Sequence, residues 1–349
     1  MFSKLFGRLT PDLGIDLGTA NTLLCVQGRG VVVNEPSVVA VKKGTRHVLL
    51  GGDAIGSTAK AMLGRTPLSI DAVRPLQQGV IADFDMTEAM LGHFMRKAHG
   101  RHRWISPRVV IAVPTAITKV QKRALFDAAL RAGAREVFLL EEPRAAGLGA
   151  GVPIHEAQAH MIVDIGGGTT DIAILSLADV VVSESLPVAG DALDEAIVHY
   201  LRRNYNLLVG SGTAEELKIH LGAASQNDEH SQRTVNGRNL LSGLPHPVTV
   251  TAGDVREAIG VPIRQIVDAV ETAIQQTGPE LAGDLLENGI HLCGGGALLP
   301  GLDRVLADET GLPVSVARDP LTTVAQGTEV FLECLDEFKD ILESAHDEL

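Results

Sequence analysis

At 349 residues the chain is long enough for about two domains, each with its own core. Its 45% hydrophobic and 21% charged residues are an ordinary balance for a globular protein. A net charge of −13, with acidic residues spread along the chain and gathered in the tail, argues against nucleic-acid binding, which needs a concentrated basic face.

Cys25, Cys293 and Cys334 are odd in number and set in apolar surroundings. They read as small buried residues in a reducing cytoplasm, not as a disulfide or metal framework. No apolar run reaches the roughly 20 residues that span a bilayer.

The first segment places Phe2, Leu5, Phe6 and Leu9 on one helical face, with Lys4 and Arg8 beside it. This predicts a short amphipathic helix over 1–9, suited to a membrane interface; the competing reading is an N-terminal turn packed on the domain. So short a helix holds a membrane only when many copies act together. It also lacks the apolar core and cleavage site of a signal peptide.

Next, Gly14-Ile15-Asp16-Leu17-Gly18-Thr19-Ala20-Asn21-Thr22 breaks an apolar strand at a small-residue turn and resumes as Leu23 to Val26. Residues 30–41 read as a strand, a turn at Asn34 to Ser37, and a strand, and residues 42–80 as a small inserted subdomain. A helix is expected at about 86–99, a continuous apolar strand at Arg108 to Pro114, a helix at about 118–132 and a strand from Glu136 to Leu140. That order is a βαβ unit with parallel strands. It ends in Glu141-Glu142-Pro143, carboxylates at the strand end where open α/β sheets place ligands. One of them could orient a water toward a terminal phosphate; the alternative is a helix first turn with its usual acid and proline.

The chain is organised around Met161 to Asp171, where an apolar strand runs through Asp164 into Gly166-Gly167-Gly168-Thr169-Thr170 and a second strand follows. Backbone N–H groups at a glycine tip approach an anion closely, Thr169 and Thr170 add hydroxyls, and Asp164 offers an oxygen to a divalent cation. Alone, this could be only a tight hairpin. The turn after Asp16 repeats the pattern D-[LI]-G-x-x-x-T, however, so a duplicated fold is expected in which each half presents a phosphate loop to a nucleotide in the cleft between them.

Beyond it come helices at about 191–204 and from Thr213, an irregular insertion at 225–250, and a helix from about Ala252 to Gln276 that Pro262 should kink or break. The strand 289–293 then enters Gly294-Gly295-Gly296-Ala297-Leu298, a third glycine cluster plausible for the adenosine end of a nucleotide.

These motifs, with Asn34-Glu-Pro-Ser-Val-Val39, Gly79-Val-Ile-Ala-Asp-Phe84 and Asp319-Pro-Leu-Thr322, resemble the actin and sugar-kinase superfamily and, within it, the bacterial actins of the MreB family over nearly the whole chain. The resemblance implies an α/β, actin-like ATPase fold of two related domains. Each has a βββαβαβα-type, ribonuclease H-like core and a small inserted subdomain. The expected boundaries are 10–151 plus 323–349 for the first domain, with its insertion at about 35–82, and 152–322 for the second, with its insertion at about 192–255.

It further implies ATP and Mg²⁺ as cofactors. Asp16 and Asp164 would hold the metal and its waters, and Thr19, Ala20, Asn21 and Gly166 to Thr169 would cradle the phosphates. Glu142 would orient the attacking water with help from Thr169. Glu215, Glu216, Leu217 and Lys218 would contact the nucleoside, with Gly295, Gly296, Ala297 and Leu298 opposite. Implied too are antiparallel double protofilaments, slow hydrolysis coupled to assembly, and a place on the inner face of the cytoplasmic membrane. There, with membrane proteins of the elongation machinery, such filaments guide wall synthesis and rod shape.

The chain departs from the family's usual residues at Arg144, Gly147, Asp171, Ala189 and around His220. A small-molecule kinase of the same superfamily is the alternative, although no acceptor pocket is visible. A chaperone-type ATPase would need a peptide-binding domain.

Overall fold

The computed structural model describes residues 12–45, 47–99, 106–225 and 231–334, so the amphipathic segment expected at 1–9 lies outside the described residues. The chain divides into two compact units, residues 1–156 with 321–349, and residues 157–320.

The first unit begins with β1 (Leu13–Leu17), β2 (Asn21–Val26) and β3 (Gly30–Pro36), an antiparallel meander. There follow β4 (Val39–Lys42), α1 (Ser57–Lys60), β5 (Ile70–Val73), β6 (Leu76–Gln77), β7 (Val80–Ile81) and α2 (Phe84–His99). The unit continues with β8 (Arg108–Val113), α3 (Lys119–Ala132), β9 (Glu136–Glu141) and α4 (Glu142–Gly149). Its main sheet has the order β3-β2-β1-β8-β9, with β8 and β9 parallel to β1. Val109 to Val113 are all buried, which is why this strand reads as an unbroken apolar run. A reciprocal capping box between Thr118 and Gln121 starts α3, and Gly133 at φ 116° stops it.

The expected insertion contains the β4–β5 pair over a small cluster of Val38, Ala40, Ala54 and Ala59. Strand β3 runs on to Pro36, past the expected turn at Asn34, because Glu35 is held from two sides: by the N–H and hydroxyl of Ser57 and by Lys97.

The second unit repeats the plan. β10 (His160–Ile165), β11 (Thr170–Ser176) and β12 (Asp179–Leu186) form the meander. They are followed by α5 (Gly190–Tyr205), β13 (Leu207–Leu208), α6 (Ser211–Leu221), β14 (Gln232–Asn239) and β15 (Pro245–Thr251). α7 (Ala252–Gln275), α8 (Pro279–Asn288), β16 (Ile290–Cys293), α9 (Leu302–Thr310) and β17 (Val314–Val316) complete it. The sheet order is β12-β11-β10-β16-β17, again with an antiparallel meander and then two parallel strands. One face, carrying Met161, Val163, Ile165, Ile172 and Ile174, packs on α5 and α7. The chain then returns to the first unit as α10 (Thr323–Glu333).

Two expectations are corrected here. Residues 225–250 are not irregular where they are described: β14 and β15 pair in register, and β13 extends them to a three-stranded sheet. Pro245 and Pro247 sit in β15, an edge strand, where a missing donor costs no ladder bond. Helix α7 also continues through Pro262. The proline removes one backbone donor, but Ile259, Ile263, Ile266 and Val267 around it are buried in the core and hold both turns in place. Cys25 and Cys293 are buried, as expected, and Cys334 is partly so. No described helix is long and apolar enough to cross a membrane.

Candidate functional site

Both sequence-marked turns are β-hairpin tips at the same place in their sheets. Leu17 pairs with Thr22 at the end of β1–β2, and Ile165 pairs with Thr170 at the end of β10–β11. Asp16 and Asp164 are each the last but one residue of the first strand, each beside a parallel strand.

The first tip is braced from below. The Ser37 hydroxyl donates to the Gly18 carbonyl at 2.6 Å, the Ser37 N–H to the Ala20 carbonyl at 2.9 Å, and the Gly79 N–H to Thr19 Oγ1 at 2.9 Å. The second tip is braced likewise. The Gly166 N–H closes the turn on the Thr169 carbonyl at 2.9 Å, and the first N–H groups of α5 bond the hairpin, Gly190 to the Gly166 carbonyl at 3.2 Å and Asp191 to that of Gly167 at 2.7 Å. α5 has no side-chain cap, so the hairpin carbonyls serve as its cap.

With these carbonyls engaged, the N–H groups of Thr19 and Ala20 in one tip, and of Gly167, Gly168 and Thr169 in the other, donate to no backbone carbonyl among the described residues. Each tip is therefore a set of adjacent donors suited to an oxyanion. Thr170 is corrected: its buried hydroxyl donates to the Val188 carbonyl at 2.7 Å, so of the two threonines only Thr169 stands at the tip. Ala20, Asn21 and Gly166 to Thr169 are half-buried.

Burial pushes the Asp16 carboxyl up to about 7, because desolvation disfavours the charged form. Asp164 is 8% exposed, and a Cβ on Gly294, which stands at φ 78°, would overlap its Oδ1. The third glycine cluster is thus explained by packing: Gly294 and Gly296 fit against Asp164 and Ile165, and residues 295–298 form one 3₁₀ turn. Ala297 is in the core, whereas Leu298 is 54% exposed. Hard carboxylate oxygens such as those of Asp16 and Asp164 fit Mg²⁺.

Lys218, on α6, reaches the second hairpin's support. Its Nζ donates to the Gly190 carbonyl at 3.0 Å and pairs with Asp194 Oδ1 at 2.8 Å. Burial raises Asp194 to about 6 despite the opposing pull of that ammonium. Leu217 is fully buried in the core. Glu216 is exposed and lies 3.4 Å from Arg233, and Glu215 stands on the same helix.

Of the two strand-end carboxylates, Glu141 is matched with Arg144 at 3.0 Å, whereas Glu142 is buried in the first turn of α4. Helix α4 is held by α10 through glycines: a Cβ on Gly149 would overlap the Thr323 carbonyl, and one on Gly327 the Ala145 carbonyl. Sequence reasoning missed the bracing partners Ser37, Gly79, Asp194 and Arg144. Only Arg144, three residues from Glu141, offered a local signal.

Residues 10–340 match the family model described as MreB/Mbl protein. The chain is 51% identical over 337 residues to the cell shape-determining protein MreB of Escherichia coli strain K12, covering 96% of this chain and 97% of that one. It is 46% identical over 325 residues to the cell shape-determining protein Mbl of Bacillus subtilis strain 168, at 93% and 96% coverage. Among solved structures, MreB5 of Spiroplasma citri bound to ADP superposes with a TM-score of 0.89 at 38% identity, over 95% of this chain and 98% of that one. The same protein bound to AMPPNP matches equally. A MamK double helical filament shares the fold, with a TM-score of 0.76 at 24% identity over 92% and 98% of the two chains. The fold is that of the actin-like proteins.

Proposed function

The chain belongs to the MreB/Mbl family, and from that premise we propose that it is a filament-forming, actin-like cytoskeletal ATPase. One observation carries the reading. Two hairpins of the same sequence pattern, in sheets of the same topology, each present backbone N–H groups that no backbone carbonyl among the described residues takes up, with a carboxylate at the strand end. Adjacent N–H donors beside a carboxylate suit the phosphates of a nucleotide, and the relatives bound to ADP and AMPPNP support that choice.

In this reading Thr19, Ala20, Asn21 and Gly166 to Thr169 hold the phosphates. Asp16 and Asp164 hold Mg²⁺ directly or through its waters; the ion, when bound, neutralises charge developing on the phosphates. Glu142 accepts a hydrogen bond from the attacking water, and Thr169 steadies it near the terminal phosphate. Glu215, Lys218 and the 3₁₀ turn at 295–298 flank the nucleoside. Hydrolysis is slow because it times the filament's life instead of processing a metabolite.

Assembly occurs as antiparallel paired protofilaments on the inner face of the cytoplasmic membrane. Residues 1–9 supply the lipid contact, and the filament organises the wall-elongation machinery. Light scattering with ATP and Mg²⁺, against ADP, tests assembly: a rise with ATP alone supports it, and a chain that hydrolyses ATP without scattering favours a non-polymerising superfamily enzyme.

A further inference from the structure

Asp171 lies at the centre of a polar row that crosses three strands. It is directly opposite Asp164 on β10 and directly opposite Ser185 on β12. Thr169 stands two residues before it, at the tip and just outside β11. It is 2% exposed, on the sheet face opposite the apolar one.

Such a residue is costly to keep. Nothing local requires an acid there, and an apolar residue would suit β11, whose other residues are all buried. Burial raises its pKa, and the hydroxyls of Ser185 and Thr169 pull it back, which places both within its reach. Its Oδ1 has no hydrogen-bond partner among the described residues. A buried acceptor with spare capacity, next to a tip hydroxyl, is a device for orienting that hydroxyl.

We propose that Asp171 is a positioning residue of the phosphate hairpin: it accepts a hydrogen bond from the Thr169 hydroxyl, turning the lone pairs of Thr169 Oγ1 toward the attacking water, while Ser185 holds the carboxylate from the far side. The inference rests on the ATPase reading and adds one residue to it. A threonine hydroxyl rotates freely about its C–O bond, and only as a committed donor does it offer an acceptor in a fixed direction. In this role Asp171 acts on the water through Thr169.

The test is a double-mutant cycle on the full chain with ATP and Mg²⁺, reading kcat, KM and, separately, the Kd for a fluorescent ATP analogue. Asp171→Asn weakens a charge-assisted bond and is expected to lower kcat about tenfold with KM and Kd unchanged. In a Thr169→Val background the same change is expected to cost nothing further. Ser185→Ala is expected to give a smaller loss that also vanishes in that background, and it carries the test if Asp171→Asn does not fold. Persistence of the full loss in the Thr169→Val background would overturn the proposal, as would a loss falling on KM or on the Mg²⁺ dependence of Kd. Absence of turnover in the unaltered chain, with ATP bound, would instead remove the ATPase reading and this inference with it.

Discussion

Arg144 lies 3.0 Å from Glu141, which ends β9. Glu142 follows it, buried in the first turn of α4, and in the proposed reading it is the residue that orients the attacking water. Glu142→Ala is expected to reduce ATP hydrolysis by about tenfold or more while ATP affinity stays within a factor of about two. Phosphate-release assays beside nucleotide binding decide it; unchanged turnover removes Glu142 from the mechanism.

The packing of α4 on α10 sets where Glu142 sits. A Cβ on Gly327 would overlap the Ala145 carbonyl, which belongs to a helix backbone and cannot turn aside. Gly327→Ala is expected to destabilise the chain by about 1–3 kcal/mol and to slow hydrolysis as Glu142 shifts. Urea unfolding measures the first effect, and a midpoint equal to that of the unaltered chain contradicts the close packing.

Much of this fold was legible in the sequence, because its signals are local. The Asp-Ile-Gly-Gly-Gly-Thr turn and the apolar run of β8 each need only neighbouring residues. The hairpin of β14 and β15 was hidden by its two prolines, which an edge strand tolerates, and by its exposed, weakly alternating side chains. Pro262 misled for the opposite reason: tertiary burial of the helix around it outweighed one lost hydrogen bond. In the candidate site, the aspartates and glycines stood out, but the struts did not. Lys218 with Asp194, Ser37 with Gly18 and Gly327 with Ala145 meet only through the fold.

Lys218 holds Asp194 and the Gly190 carbonyl together beneath the second hairpin. Lys218→Met leaves a buried carboxylate without its cation and is expected to cost about 3–5 kcal/mol. Loosening the Gly190 contact to Gly166 is expected to weaken nucleotide binding as well. A variant as stable as the unaltered chain at neutral pH would mean that the pair is solvent-screened.

His291 makes a pH prediction. Burial, with a smaller effect of nearby His160, holds it below its ordinary 6.5. Since the folded pKa lies below the unfolded one, the unfolded chain takes up the proton first as pH falls. The stability that depends on neutral His291 is therefore present above about 6.5 and declines below it. His93 and His99 are shifted in the same direction by burial and add to the slope. Urea midpoints are expected to fall between pH 7 and pH 5.5, less steeply for His291→Gln; equal slopes would assign the effect elsewhere.

The central claim is that ATP binding drives assembly on a membrane. The measurement that tests it most directly is pelleting of the full chain with anionic lipid vesicles, with and without ATP and Mg²⁺, followed by negative-stain imaging of the pellet. The account predicts paired filaments on the vesicles only with ATP and Mg²⁺, lost from the lipid but not from solution when residues 2–9 are removed. Protein that binds ATP yet remains monomeric in the supernatant would contradict it.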